Sequence, residues 1–384
     1  MKVVGLFAGI GGIEEGLHRA GHSTSLLCEI DSAACAVLEN HFQGVKLHQD
    51  IRTLKKLPPD TELVAGGFPC QDLSQAGQTR GIDGKNSGLV SEVFRLLRNH
   101  DVPYVLLENV SFMLSLGAGH AMRFVTDQLE QLGYRWAYRV IDSRAFGLPQ
   151  RRQRLFFVAS RICEPFEILM TGSSEPQETE DWSGKACGFY WTEGVRGLGW
   201  AVDALPTLKG GSTVGIASPP AIWMPDGRIV TPDIRDAERM QGFAVDWTLA
   251  AENVVRKGFR WKLIGNAVSV PAVEWVGRRF VEGPRPVDLR VRTFEPTKKW
   301  PHAAFGGPRQ RPLGVEISKW PVANRRVSLT EFMQFEPKLL SLKATMGFVS
   351  RLRSGNLQFP AEFLAALERH GEAMRGQLEL ASVA

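Results

Sequence analysis

No run of 18 apolar residues occurs in this 384-residue sequence, so it offers no membrane-spanning helix. After Lys2 the first apolar stretch is short, broken by glycines and without a small-residue cleavage site, which argues against a secretory leader. Cysteine is scarce: five residues (28, 35, 70, 163 and 187), an odd number with no CxxC pair. That spacing excludes a disulfide framework and a zinc site and points to a reducing, cytoplasmic compartment. No internal repeat is visible. What remains is globular, with 43% hydrophobic and 23% charged residues in a length that allows two or three packed units.

Charge is unevenly spread. Residues 283–384 carry 16 Lys+Arg against 9 Asp+Glu, whereas the rest of the chain is slightly acidic. A positive excess confined to one quarter suits a polyanion, although basic surface residues are also ordinary solvated ones.

The first 160 residues alternate between β-type runs and amphipathic helical stretches. Strands are predicted over 2–7, 24–28, 62–65, 104–107, 136–141 and 155–159, and helices over 12–20, 32–41, 88–99 and 121–132. This is the pattern of an α/β, doubly wound, mostly parallel sheet, whose ligands bind at the carboxyl ends of the strands. Residues 163–230 break the pattern. They are rich in Gly, Ser, Thr, Pro and Trp, too long for one connector, and read as a second, irregular domain. Helical signals return at 233–241, with Thr231 as N-cap, and at 269–281. The Pro- and Arg-rich stretch 283–326 is followed by helices opening at the capping box Ser328–Glu331 and at Pro360.

Several strand ends carry chemistry. Phe7-Ala-Gly-Ile-Gly-Gly12 follows the first strand and opens a helix, so its backbone N–H groups can meet a ligand, although such turns are also common in ordinary folds. Glu14 stands where the dinucleotide fingerprint has its third glycine. Glu29 suits ribose hydroxyls and Asp50 an adenine amino group, while a single acid at such a place also serves as a helix cap. Gly66-Gly-Phe-Pro-Cys-Gln71 puts Cys70 at a strand-to-loop corner where its pKa can fall, with a glycine-rich loop behind it that could close as a lid. Against that, a lone cysteine is commonly a small core residue. Leu106-Leu-Glu-Asn-Val110 places an acid after an apolar strand, and Gln150-Arg-Arg-Gln-Arg154 an arginine at a strand mouth. Leu263-Ile-Gly-Asn-Ala-Val-Ser-Val-Pro271 opens the last helix of this part.

In this order, the motifs closely resemble the bacterial DNA (cytosine-5) methyltransferase family over about 1–160 and 228–282. The resemblance implies a Rossmann-like catalytic domain in 1–162, completed by 255–282, a target-recognition domain in 163–254 containing the Pro206-Thr-Leu-Lys-Gly-Gly-Ser212 segment, and a partly helical basic extension in 283–384. It implies S-adenosyl-L-methionine as methyl donor, S-adenosyl-L-homocysteine as product, and no metal. Phe7, Ala8, Gly9, Ile10, Gly11, Gly12, Glu29, Ile30, Asp50, Ile51, Pro69, Leu89, Asn266, Ala267 and Val268 would surround that cofactor. Cys70 would be the nucleophile, Glu108 the acid at cytosine N3 and Arg154 the donor to its 2-carbonyl, with Arg152, Asn109 and Gln71 supporting them.

The chemistry accounts for these types. Thiolate attack on carbon 6 makes carbon 5 nucleophilic, and a protonated carboxyl and a guanidinium stabilise the charge that attack creates. The cytosine must leave the duplex to be reached. The partner is then double-stranded DNA, with other components of a restriction-modification or phage-defence system beside it. The protein would be a monomer in the bacterial cytoplasm, associated with the nucleoid, with no membrane. Methylation of tRNA is the rival reading, but that branch carries Cys-Phe-Thr where this chain has Cys163-Glu-Pro and Cys187-Gly-Phe. A catalytically idle DNA-binding homologue is opposed by the intact cysteine, glutamate and arginine. The basic, Trp-containing start of the extension reads as a grip on DNA phosphates, with docking on the catalytic domain or on a partner as the alternatives.

Overall fold

A computed structural model describes residues 1–69, 88–177, 179–211 and 218–383. The first part runs β1 (Lys2–Leu6), α1 (Gly12–Arg19), β2 (Ser23–Cys28), α2 (Ser32–His41), β3 (Lys46–His48), β4 (Leu63–Gly67), α3 (Val90–Arg98), β5 (Tyr104–Val110), α4 (His120–Gln131), β6 (Arg135–Asp142), β7 (Gln150–Arg151) and β8 (Gln153–Ser160). All the predicted strands are there, and β3 is added, too short and polar to stand out in the sequence. Strands β3, β2, β1, β4 and β5 pair in parallel in that order. The buried run Val105-Leu106-Leu107 of β5 is apolar on both faces, as a central parallel strand requires. The expectation of a mostly parallel sheet holds for this half only. β6 reaches β8 without a helix crossing the sheet, so β8 returns antiparallel between β5 and β6.

The second part holds α5 (Phe166–Leu169), β9 (Cys187–Phe189), β10 (Ala201–Val202), β11 (Leu205–Pro206), β12 (Ala221–Trp223), β13 (Ile229–Thr231), α6 (Ile234–Met240), α7 (Arg260–Asn266) and α8 (Val270–Glu282). Thr231 is not the cap of α6. It ends β13, its hydroxyl donating to the Lys338 carbonyl, and Asp233 caps instead, accepting from the Arg235 N–H at 2.9 Å. A carboxylate one residue from the helix start serves the free N–H groups better than a hydroxyl held in a strand.

Residues 283–384 reach both parts. β14 (Val291–Thr293), β15 (Ala303–Gly306) and β16 (Leu313–Val315) extend the large sheet beyond β6. Trp300 and Trp320 are 2% and 1% exposed, so the tryptophans that suggested a phosphate grip are core residues. The chain then crosses to the second part through α9 (Leu329–Phe332), where Arg326 pairs with Asp203 at 3.1 Å and Asp203 accepts from the Leu329 N–H at 2.8 Å. β17 (Lys338–Leu339) adds to β13 and completes a five-stranded sheet. Finally α10 (Leu342–Ser354) and α11 (Ala361–Val383) bury Phe348, Val349, Phe363 and Leu367 against Phe189, Ala221 and Ile229. The sequence does not announce α10, because its Thr, Gly, Val and Ser residues are weak helix formers; packing supplies what propensity lacks.

Deleting residues 290–384 is expected to give protein without a cooperative thermal transition, because it strips apolar faces from both sheets. A truncated protein that melts cooperatively and loses only DNA affinity at high salt would return this segment to a phosphate-gripping role.

Candidate active site

A cavity of about 820 Å³ runs along the edge where the parallel strands end. Phe7, Ala8, Gly9, Ile10 and Gly12 line it from the turn after β1, Glu29 and Ile30 from the end of β2, and Asp50 and Ile51 from the end of β3. Pro69, Leu89, Asn266, Ala267 and Val268 also line it, as do Glu108, Asn109 and Arg154. Gly11 does not: its α-carbon faces away, where an added Cβ would stand 2.4 Å from the Phe42 ring, and its φ of +81° suits glycine. Arg152 lies behind the wall. Cys70 and Gln71 are outside the described residues, immediately after Pro69.

One end of the cavity combines free backbone donors with an acidic and apolar rim. Helix α1 starts with no side chain capping its N–H groups, which leaves them to a ligand. At Gly9, with φ of +55°, the position of a Cβ has nothing within 4 Å, so a ligand can approach the backbone closely. Ile30, 65% exposed, offers an apolar face at the rim. The Glu29 carboxylate accepts from Gly9 N–H at 2.7 Å with one oxygen and from Ile30 and Asp31 N–H with the other. Three of its roughly four acceptor sites are thus committed to the backbone, leaving room for one ribose hydroxyl rather than two. Asp50 is gripped by the Arg52 guanidinium at 2.7 Å, whose hydrogen bonds hold its carboxyl below the usual range. Arg52 also lines the cavity, and nothing in the sequence singled it out.

The other end is set by register. Glu108 pairs with Gly67 on β4 and with Phe156 on β8, and Arg154 stands opposite Val110. This puts the Arg154 Nε 3.0 Å from Glu108 Oε1, both side chains being about nine-tenths buried. A side chain at Gly67 would crowd that carboxyl, with a Cβ 3.1 Å from Glu108 Oε2. Burial raises the Glu108 pKa, opposed by the positive charges of Arg154 and Arg152, so the proton is held to higher pH than in an ordinary carboxylate. Asn109 donates to the Phe68 carbonyl at 3.0 Å and so fixes the strand end that leads to Cys70.

Arg152 is a buried strut. It donates to the Leu208 carbonyl at 2.9 Å, the Gly265 carbonyl at 3.1 Å and the Ala267 carbonyl. Gln150 accepts from Leu208 N–H at 3.2 Å, and Tyr190 donates to the Thr207 carbonyl at 3.0 Å. Thr207, Leu208, Lys209, Gly210 and Gly211 are thereby held as one wall of the cavity, a role that the resemblance of Pro206–Ser212 did not convey.

Glu14 explains the missing third glycine. Its side chain is fully buried over β1, and a Cβ on Gly5 would lie 2.0 Å from its Oε1. Here the glycine that lets helix and strand approach at this point stands on the strand, at Gly5. Neither carboxyl oxygen has a hydrogen-bond partner among the described residues, and burial, with the charge of Glu29 adding to it, raises its pKa from 4.5 to about 8.

A family model described as C-5 cytosine-specific DNA methylase matches residues 1–185. The type II methyltransferase M2.BsuMI of Bacillus subtilis (strain 168) is 46% identical over 96% of this chain and 98% of its own length. The type II methyltransferase M.NgoBI of Neisseria gonorrhoeae is 28% identical over 71% of this chain and 90% of its own. Among solved structures, an Entamoeba histolytica methyltransferase shares the fold with a TM-score of 0.52 at 13% identity, over 73% of this chain and 98% of that one.

Because folded Glu14 keeps its proton above the pH at which the unfolded chain loses it, stability is expected to fall as pH rises from 4.5 to about 8. Glu14→Gln should flatten that fall, read as thermal midpoints across the range. An unchanged slope would show that another group sets it.

Proposed function

This chain belongs to the C-5 cytosine-specific DNA methylases, and on that premise we propose which of its residues carry the reaction. It is a DNA (cytosine-5-)-methyltransferase, transferring the methyl group of S-adenosylmethionine to carbon 5 of cytosine in DNA. The bound cofactor supplies an electrophilic methyl group. The uncapped backbone N–H groups where the Phe7–Gly12 turn opens α1, the Glu29 carboxylate and the Ile30 face hold its adenosyl part, with Asp50 toward the adenine amino group and Asn266–Val268 closing the opposite wall.

The cytosine, turned out of the duplex, enters the Glu108 end. Cys70 Sγ, as thiolate, adds to carbon 6. Glu108 gives its proton to N3 as the negative charge develops there, and the Arg154 guanidinium hydrogen-bonds the 2-carbonyl. Carbon 5 then takes the methyl group and gives its proton to a solvent base. Sγ leaves carbon 6 and N3 returns its proton to Glu108, so thiolate and carboxyl are restored. Asn109, Arg152 and Gln71 position these groups.

The observation that best supports this reading is that the Glu108–Arg154 pair and the Glu29–Ile30 rim face one continuous cavity. The two reactants then share one space. We place the enzyme as a monomer in a restriction-modification setting in the cytoplasm. No helix among the described residues is long and apolar enough to cross a membrane.

Duplex DNA carrying 5-fluorocytosine should trap the protein covalently in the presence of S-adenosylmethionine, and Cys70→Ala should neither trap nor methylate. Methylation by Cys70→Ala would sink the mechanism. Glu108→Gln should lower kcat by a factor on the order of 10²–10⁴ while leaving S-adenosylhomocysteine affinity unchanged. The wild-type rate should fall on the alkaline side as Glu108 loses its proton, a limb that the glutamine variant lacks. An alkaline limb in both would assign it to another group.

A further inference from the structure

The turn from Phe7 to Gly12 is held in an uncommon shape. Phe7, Gly9 and Gly11 have φ of +53°, +55° and +81°, and for Phe7 that conformation is unfavourable on its own. Something outside the turn must hold it. Part of the hold is polar: Gly11 N–H donates to the Ala8 carbonyl at 2.8 Å within the turn, and the end of β2 takes the Gly9 N–H on Glu29 at 2.7 Å and the Ala8 N–H on the Cys28 carbonyl at 3.1 Å. A group of rings adds to it on the side away from the cavity. A Cβ on Gly12 would meet Phe243 at 3.0 Å, and the Trp247 indole N–H donates to the Ile10 carbonyl at 2.8 Å. Trp247 is itself fixed. Its ring stacks on His41 with centroids 3.6 Å apart and planes 4° apart, and a His41 ring nitrogen bonds its backbone carbonyl at 2.8 Å. Phe243 packs against it at 5.1 Å. Trp247 is 6% exposed and does not line the cavity.

We propose that Trp247 is a positioning residue for the cofactor, its indole N–H anchoring the Ile10 carbonyl so that the backbone N–H groups of the turn stay aimed into the cavity. The inference rests on the assignment of this turn to the cofactor. It gives a residue from the stretch that sequence alone allots to target recognition a part in holding the other reactant. Phe at this position keeps a ring on His41 and removes the donor with part of the indole's volume, leaving a buried carbonyl without its partner.

Trp247→Phe should raise the dissociation constant for S-adenosylhomocysteine, measured by titration calorimetry, about tenfold, or about 1.4 kcal/mol. The KM for the cofactor should rise with it while kcat at saturation stays unchanged, the pattern of lost binding rather than lost chemistry. A cooperatively folded variant with wild-type affinity would overturn the proposal. If Trp247→Phe does not fold, replacing Trp247 by its benzothiophene analogue, which keeps the bicyclic ring on His41 and lacks the N–H, decides the matter, and wild-type affinity there would equally overturn it. Failure of the wild-type protein to bind S-adenosylhomocysteine would instead remove the cofactor assignment beneath it.

Discussion

The pairing register between β5 and β8 is the constraint on which the site depends. An antiparallel neighbour at that place brings the start of one strand to the end of the other, so a residue entering β8 meets a residue leaving β5. Glu108 and Arg154 are diagonal neighbours on one face, and a slip of one residue would turn either to the opposite face. The flanking parallel strands carry the turn after β1, Glu29 and Asp50 to the same edge. The Glu108–Arg154 pair and the Glu29–Ile30 rim are thus two ends of one edge of the sheet, and the backbone holds both members of the pair in place although burial works against the charge on each.

How much of this the sequence discloses follows from how local each signal is. Glu108, Asn109 and Arg154 sit within or beside strongly apolar strands, and Glu29 and Asp50 close theirs, so a reader of strand ends finds them. Asp31 caps α2 through the N–H groups of Ala33 and Ala34. Trp247 and the Thr207–Gly211 wall are set by contacts between segments distant in the chain, and no spacing encodes such contacts. The strands of the last quarter are two to four residues long and set among prolines and arginines, so composition alone reads them as tail.

That last quarter changes how the molecule divides. Domains drawn along the sequence separate a catalytic part, a recognition part and an extension. In the folded chain the extension supplies β15 to the large sheet, β17 to the small one and the helices that cover the small sheet. The buried Asp203 contacts to Arg326 and Leu329 tie the crossing down midway. The two sheets are therefore joined by this crossing of the chain in addition to the polar strut of Arg152.

Gly5 and Glu14 carry a message for the history of the family. Each occupies the space the other needs, nine residues apart in sequence, and either alone is a poor choice: a glycine in a buried strand, a carboxyl without partners in a core. Such residues should be inherited as a couple. Among descendants of this sequence, a chain that puts a side chain at position 5 should have shortened position 14 as well, and one that restores glycine at 14 is free to fill the strand. The pair would then serve as a marker, visible as correlated replacement, of methylases that pack α1 on β1 through this carboxyl.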